Sequence, residues 1–147
     1  MKIDSLNWKI LKCLQENARL SNAEIGRQVG ISSPAVSVRI KKMEDLGIIE
    51  GYKTIISPFE VGYQFKAIIT LRAFMGKLKP FLDKVKTYEE VVNCYRITGD
   101  ENIVMEVVLK NQKHLETFID QLIIYGESKT QIVLSRVVKL RPLNSIK

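Results

Sequence analysis

The chain has 147 residues, 46% of them apolar, and a formal net charge of +7. This length allows one domain or two small ones, and the composition is that of an ordinary globular protein. No apolar run approaches the ~20 residues of a membrane helix, and Asp4, Asn7 and Lys9 interrupt the start of the chain, where a signal peptide would be apolar. We therefore expect a cytoplasmic protein without membrane contact.

The two cysteines, Cys13 and Cys94, lie far apart in the sequence. They form neither a disulfide framework nor a zinc motif, and both fall in apolar patterns that are typical of buried thiols. We expect no cofactor and no metal.

Three helices are predicted in the first fifty residues. Asp4 caps the first, which ends near Asn17. Ser21 followed by Glu24 is a capping box that begins the second helix. Gly30 ends this helix at a position that commonly needs a positive φ.

The third helix begins only two or three residues later. Pro34 is tolerated in its first turn, and Gly47 closes it. Its inward positions recur at helical spacing at Val36, Ile40 and Met43. Gly26 has no Cβ, so another helix can approach the second one closely. Two short helices joined by a glycine turn fit a helix-turn-helix unit.

The outward face of the third helix carries the candidates for DNA contact. They are Ser32, Ser33, Pro34, Ser37, Val38, Arg39, Lys41 and Lys42. Serine hydroxyls can reach base edges or phosphates, Val38 can touch a thymine methyl, and the lysines suit phosphates. Arg39 lies beside the core face, so it either reaches a phosphate or pairs with an acid. The alternative is an ordinary amphipathic helix with a solvated face, but the spacing of Gly26, Gly30 and Val36 favours DNA binding.

The charge is unevenly distributed along the chain. Residues 1–63 hold nine Lys or Arg and seven Asp or Glu, whereas residues 64–147 hold fourteen and nine. DNA affinity comes largely from phosphate neutralisation, so a single mildly basic N-terminal half would bind weakly. Either several copies act together, or the basic C-terminal half also lies near DNA.

A two-stranded wing is predicted after Gly47. Residues 48–52 and 53–56 have the pattern of short strands around a glycine-containing turn, and such a wing usually lies along the DNA backbone. Pro58 and Gly62 then punctuate a linker. We place a winged helix-turn-helix domain with its linker in residues 1–60 and an effector-binding and oligomerisation domain in residues 61–147.

The second half has the predicted order βαββαβ. Strands are expected over residues 64–74, 91–98, 103–110 and 130–140, with one helix over 79–88 and another capped by Asn111. This order is the split unit of ferredoxin-like folds, an antiparallel sheet with both helices on one face. The predicted fold class is therefore α+β.

Several predicted strands are apolar on both faces. Ile103, Met105, Val107 and Leu109 oppose Val104 and Val108, and Val133 and Val137 oppose Ile132, Leu134 and Val138. Helices cover only one face of such a sheet, and an antiparallel sheet facing water normally alternates apolar with polar residues. The apolar residues of the second face therefore predict that it packs against another sheet in a two-fold dimer. The alternative is a monomer with an exposed apolar face.

The whole chain resembles the Lrp/AsnC family of transcription factors, also called leucine-responsive or feast/famine regulators. The resemblance rests on the order and spacing of many short motifs. In the first half these are Ile10-Leu11, Leu14, Asn17-Ala18-Arg19-Leu20-Ser21, Glu24-Ile25-Gly26, Val29-Gly30-Ile31-Ser32, Val36, Arg39-Ile40, Met43-Glu44, Leu46-Gly47-Ile48-Ile49 and Gly51-Tyr52. In the second half they are Cys94-Tyr95, Thr98-Gly99-Asp100 and Phe118-Ile119.

The resemblance implies a sequence-specific DNA-binding transcriptional regulator that forms a homodimer through its C-terminal domain. Dimers of this family often assemble into a disc-like octamer that carries double-stranded DNA around its outside. Small effectors, usually amino acids, bind between dimers. The implied effector residues are Thr98, Gly99, Asp100, Glu101 and Asn102 in one loop, with Ser128, Thr130, Gln131, Ile132 and Val133 at the start of the last strand of a neighbouring subunit.

The chemistry of these residues suggests roles in holding an amino acid. Gly99 lets a ligand approach the backbone, and Asp100 or Glu101 can take an α-amino group. Asn102 departs from the family, because many relatives have an acid there and an asparagine cannot supply the charge that holds an ammonium. The alternative is a plain polar turn, and the identity of the effector stays open.

Two other classes of function remain. One is an architectural protein that wraps DNA with little sequence preference, and the other is a dimeric ferredoxin-like small-molecule-binding protein or enzyme. The second would leave the N-terminal helices without a role. His114 is the only histidine, and no glycine-rich phosphate loop is present. We therefore expect no enzymatic activity.

Overall fold

The computed structural model describes residues 3–146. Its first part contains three helices: α1 (Ser5–Glu16), α2 (Asn22–Val29) and α3 (Ser33–Asp45). Their buried side chains form one apolar core, made by Ile10, Leu11, Cys13, Ile25, Val36 and Met43. The predicted three-helix unit is therefore confirmed.

Local hydrogen bonds set the ends of these helices. Asp4 accepts from the Asn7 N–H at the start of α1, and the predicted capping box of Ser21 and Glu24 is complete. Gly30 ends α2 with φ 81°, a left-handed conformation that glycine adopts without steric cost.

Gly26 lies where α2 meets the chain that leads into α3. A Cβ at this position would lie 2.5 Å from the Ile31 carbonyl oxygen. The Gly26 carbonyl also accepts hydrogen bonds from the N–H groups of Gly30 and Ile31. The close approach expected at Gly26 is therefore present, and it is made by the turn between the two helices.

The predicted two-stranded wing over residues 48–56 is wrong for the described chain. The Ile48 N–H donates to the Met43 carbonyl at 2.9 Å, and that of Gly47 donates to Glu44. These two bonds form a Schellman motif. The residues expected to begin the first strand of the wing therefore end α3 instead. Residues 51–57 are irregular, and Tyr52 turns back to donate from its hydroxyl to Glu44.

The second part contains four strands and two helices in the predicted order. These are β1 (Phe65–Ala73), α4 (Leu78–Lys84, continued by a 3₁₀ turn over Val85–Thr87), β2 (Val91–Arg96), β3 (Ile103–Leu109), α5 (Gln112–Leu122) and β4 (Gly126–Ile132); a further 3₁₀ turn, Phe59–Val61, precedes β1. The antiparallel sheet has the order β2-β3-β1-β4. The buried side chains of β1, β3, α4 and α5 form one core, which includes Ile69, Met105, Phe81 and Phe118.

The last strand differs from its prediction over residues 130–140. The observed strand runs from Gly126 to Ile132 and pairs with β1, which begins at Phe65. After Ile132, the Val133 N–H donates to the Lys66 carbonyl, and there β1 comes to its end. A side chain at Gly126 would collide with the Arg72 backbone, so a glycine is needed where the strand starts. Leu134, Val137 and Val138 are exposed, and the strand faces predicted for residues 133–138 do not form.

The chain divides into two compact units. One comprises the chain up to Thr54 together with the segment from Val138 onward, and the other comprises Ile55–Val137. The division of roles between residues 1–60 and 61–147 stays a prediction, because packing alone assigns no role. Among residues 3–146, no helix has the length and apolar character needed to cross a membrane.

We predict that Gly26→Ala destabilises the helix-turn-helix unit. Alanine has the better helix propensity by about 1 kcal/mol, but its Cβ would meet the Ile31 carbonyl, and such overpacking costs about 1–3 kcal/mol. Denaturant unfolding of the full chain should show a net loss of stability, whereas Arg27→Ala on the exposed side of α2 should not. A stability gain for Gly26→Ala would contradict the close contact.

Candidate DNA interface and effector site

The candidate DNA residues follow the outer surface of α3. Ser32 caps the helix, accepting from the Ala35 N–H at 3.4 Å. Pro34, Ser37, Val38, Lys41 and Lys42 are exposed. Val38 exposes 69% of its surface although it is apolar, while Val36 and Met43 on the opposite side are fully buried. The face predicted to contact DNA is therefore free for a partner.

The two lysines of this face are in different electrostatic states. Lys41 is bound to Asp45 at 2.7 Å, and the hydrogen bond to this carboxylate raises the pKa of the lysine. Lys42 has no ion-pair partner within residues 3–146. Lys42 can therefore meet an anion without first giving up a carboxylate.

Arg39 pairs with an acid in this structure, which is one of the two alternatives left by its position in the sequence. Its Nη1 atom lies 2.7 Å from Asp4 Oδ2 and 2.8 Å from Asn7 Oδ1. Asp4 and Asn7 belong to the start of α1, so these bonds join the first helix to α3. The hydrogen bond from Arg39 is the main cause that holds the pKa of Asp4 below its ordinary value of 3.8.

A concavity of about 600 Å³ lies between the start of α1 and the outer side of α3. Its lining residues are Asp4, Asn7, Pro34, Ala35, Val38, Arg39 and Lys42. The exposed Val38 and the unpaired Lys42 both border it. It therefore offers an apolar contact and one available cation on the face that the sequence assigns to DNA.

The effector loop of residues 98–102 is held against β1 by Asn102. The Asn102 N–H donates to the Leu71 carbonyl, and its side-chain Oδ1 accepts from the Ala73 N–H at 3.1 Å. Gly99 has φ 116° and leaves its surroundings open. Asn102 thus has a structural use here, since its amide oxygen accepts from the last N–H of β1.

The loop and the last strand come together through a residue that the sequence did not predict. Lys129 of β4 is hydrogen-bonded to Glu101, which lowers the pKa of the carboxyl and raises that of the lysine. Arg72 pairs with Glu127 beside them. Since β1 lies between β3 and β4, the sheet order brings these groups together, and no sequence signal reports it.

The β4 candidates alternate between the two faces of the sheet. Ser128, Thr130 and Ile132 pair with Leu71, Ile69 and Ala67, whose side chains are buried under the helices. Gln131 is exposed on the other face, beside Ile68 in register. Val133 is half-buried just after the strand ends. A ligand at one face of a single subunit would therefore not meet all the β4 candidates together.

Known proteins share both parts of this architecture. Residues 3–50 match the model of winged helix-turn-helix DNA-binding domains, and residues 66–143 match that of the Lrp/AsnC ligand binding domain. The HTH-type transcriptional regulator LrpB of Bacillus subtilis is 32% identical over 95% of this chain and 93% of its own. The structure of AsnC from E. coli covers 96% of this chain and 98% of its own at 30% identity, with a TM-score of 0.84.

A transcriptional regulator of Neisseria meningitidis, crystallised with L-Met, has a TM-score of 0.91 at 26% identity and covers 97% of this chain and 96% of its own.

The fold and the outer face of α3 define a helix-turn-helix protein with a ligand-binding domain. The family matches are more specific: the chain belongs to the Lrp/AsnC family of transcriptional regulators.

We predict a pH-dependent contribution from the Asp4–Arg39 pair. Asp4→Ser keeps a good N-cap residue but removes the carboxylate. Because the pKa of Asp4 is lowered by folding, the pair stabilises above the unfolded pKa, and this stabilisation is lost as pH falls through the folded one. The stability difference between wild type and variant should be constant above about pH 5 and shrink below pH 4.

Denaturant unfolding at several pH values measures this difference. The same substitution in an Arg39→Ala background should give a smaller pH-dependent change, because the partner that lowers the pKa of Asp4 is gone. A difference in the wild-type background that is independent of pH between 2.5 and 7 would contradict the pairing.

Proposed function

We propose that this chain is a sequence-specific DNA-binding transcriptional regulator whose DNA binding or assembly responds to a small effector, an amino acid. One observation carries the proposal: α3 is held on its inner side by a complete apolar core, while its outer face presents hydroxyls, an apolar side chain and a free cation. These are the groups that read bases and phosphates in a major groove. The names of the relatives support the same function.

The residues of α3 divide by chemistry into two sets of contacts. Ser33, Pro34, Ser37 and Val38 would lie against base edges, with Val38 suited to a thymine methyl. Ser32 at the helix N-terminus, Lys41 and Lys42 would meet phosphates. Lys41 would have to exchange Asp45 for a phosphate, so Lys42 should contribute more to affinity.

We predict that Lys42→Ala weakens binding to every DNA sequence. The loss of one phosphate contact should reduce the slope of log affinity against log salt by about one for each subunit bound. Fluorescence anisotropy on a random duplex across a salt series measures this slope. Lys86→Ala removes an equal charge from a surface pair of the other unit and serves as the control. An unchanged slope for Lys42→Ala would exclude the phosphate contact.

We further propose a homodimer formed by the helix-free face of the sheet, with assembly up to an octamer. Val104 and Ile68 are half-buried on this face, opposite the core residues of β3, together with the Lys66–Glu106 ion pair, whereas Val108 on the same face is already buried within the chain. Apolar groups and a half-buried ion pair are unusual on a face left to water. The mildly basic N-terminal half would then gain affinity from several copies acting on one DNA.

We predict that Val104→Lys dissociates the dimer. A lysine at the centre of the face would place an unpaired charge between two sheets, while the core under the helices keeps all its residues. Sedimentation of the full chain at micromolar concentration should give a monomer for this variant and a dimer or larger species for wild type. Gln121→Lys on α5 is the control and should leave the mass of the assembly unchanged. An unchanged mass for Val104→Lys would contradict the proposed interface.

The effector would bind at the loop of residues 98–102, close to residues 128–133. Glu101 is already paired with Lys129, and Asn102 is bonded to β1. Asp100 is exposed and forms no ion pair in the part of the chain that is described, so it is the carboxylate best placed to take an α-amino group. Thr98 and the Gly99 backbone would complete the loop contacts, with Ser128, Thr130, Gln131, Ile132 and Val133 supplied by β4 of this or a neighbouring subunit.

We propose no catalytic role, no cofactor and a cytoplasmic location. His114 accepts from the Lys110 N–H through Nδ1 and contacts Glu90 through Nε2 at 2.9 Å. Both ring nitrogens are therefore occupied, which does not suit a general base. The cytoplasmic location is proposed because α3 would bind DNA.

A further inference from the structure

Arg39 is the polar link between the first helix and α3. The apolar core of this unit joins the helices through side chains such as Ile10, Val36 and Met43. Burial of Val36 and Met43 fixes which side of α3 faces inward. Because apolar contact is non-directional, it sets the exact rotation of the helix less sharply than a hydrogen bond does. A hydrogen-bonded group that connects the two helices at a fixed point supplies the missing direction.

The network around Arg39 is complete. Asp4 uses one carboxylate oxygen to accept from the Asn7 N–H and the other to accept from Arg39. Asn7 is 7% exposed, and its side-chain oxygen accepts from the same guanidinium nitrogen. Removing Arg39 would leave a buried amide oxygen without its partner, which costs more than the loss of a surface bond.

The position of Arg39 on α3 makes this network relevant to DNA. It follows Val38 directly and lies three residues before Lys42, and all three border the same concavity. A rotation of α3 would therefore change the direction in which Val38 and the preceding Ser37 point. Base readout depends on such directions, whereas a flexible lysine can still reach a phosphate.

We propose that Arg39 is a positioning residue, which acts through Asp4 and Asn7 to fix the rotation of α3 and thereby the discrimination between DNA sequences, instead of binding a phosphate itself. This inference rests on the proposed DNA-binding function. It gives Arg39 a role different from that of Lys42, although both are cations of one concavity. Contact with a phosphate would require Arg39 to leave two acceptors and would bring the freed Asp4 carboxylate toward the DNA.

The test compares four variants of the full chain: Arg39→Ala, Asp4→Ser, the double variant, and Lys42→Ala. Two probes are used, a duplex selected by the wild-type chain from a random pool and a shuffled duplex of equal composition. The measured quantities are the ratio of the two affinities and the salt slope on the shuffled duplex. Unfolding followed through Trp8, the only tryptophan, confirms that each variant is folded at the temperature used.

The proposal predicts that Arg39→Ala lowers the affinity ratio by about tenfold, the discrimination of one good base contact, and leaves the salt slope unchanged. Asp4→Ser, which keeps the cap, should lower the ratio similarly, and the double variant should be no worse than either single one. Lys42→Ala should do the reverse, with a lower slope and a nearly constant ratio.

A salt slope reduced by about one in Arg39→Ala, with equal losses on both duplexes, would overturn the proposal, because that is the behaviour of a phosphate contact. A wild-type ratio for Asp4→Ser would overturn it as well. If the wild-type chain selects no sequence at all, the sequence-specific function fails, while the salt slope of Arg39→Ala on random DNA still decides whether Arg39 binds a phosphate.

Discussion

The contact between Gly26 and the carbonyl of Ile31 sets the turn on which the DNA-binding unit depends. It lets the chain reverse within three residues of the end of α2 and begin α3 against the core formed by α1 and α2. A larger residue would push the turn outward and move Val36 away from that core. Once the inner side of α3 is buried, the geometry of the helix leaves the opposite side exposed.

Two of the three cations of α3 are paired within the chain. Arg39 is bonded to Asp4 and Lys41 to Asp45, whereas Lys42 is exposed and forms no ion pair within residues 3–146. A chain of net charge +7 therefore presents little free positive charge on α3. A regulator of this kind gains affinity by repetition of the subunit, which the helix-free face of the sheet would provide.

The sequence was most informative where structure is local. The cap at Asp4, the capping box at Ser21 and the glycine end of α2 at Gly30 each depend on a few adjacent residues. The βαββαβ order followed from alternation and periodicity in the same way.

Sequence reasoning failed where a distant partner decides. Residues 133–140 have the pattern of a strand, but β1 offers no further backbone for them to pair with. The wing failed for a local reason instead, because the Ile48 N–H is used to end α3. The Lys129–Glu101 pair and the bonds from Arg39 to Asp4 and Asn7 join residues 28 to 35 positions apart. Such contacts depend on sheet order and helix packing, which no pattern within one element reports.

The most direct test of the regulator function is a binding titration of the full-length protein. The probes are the DNA upstream of its own gene and a random duplex of equal length, each measured over a salt series with and without a pool of amino acids. We expect about a thousandfold preference or more for the upstream DNA, as is usual for specific binders, and a change in affinity or assembly when the pool is added. Equal and steeply salt-dependent binding to both duplexes, unaffected by amino acids, would contradict the account and favour an architectural DNA-binding protein.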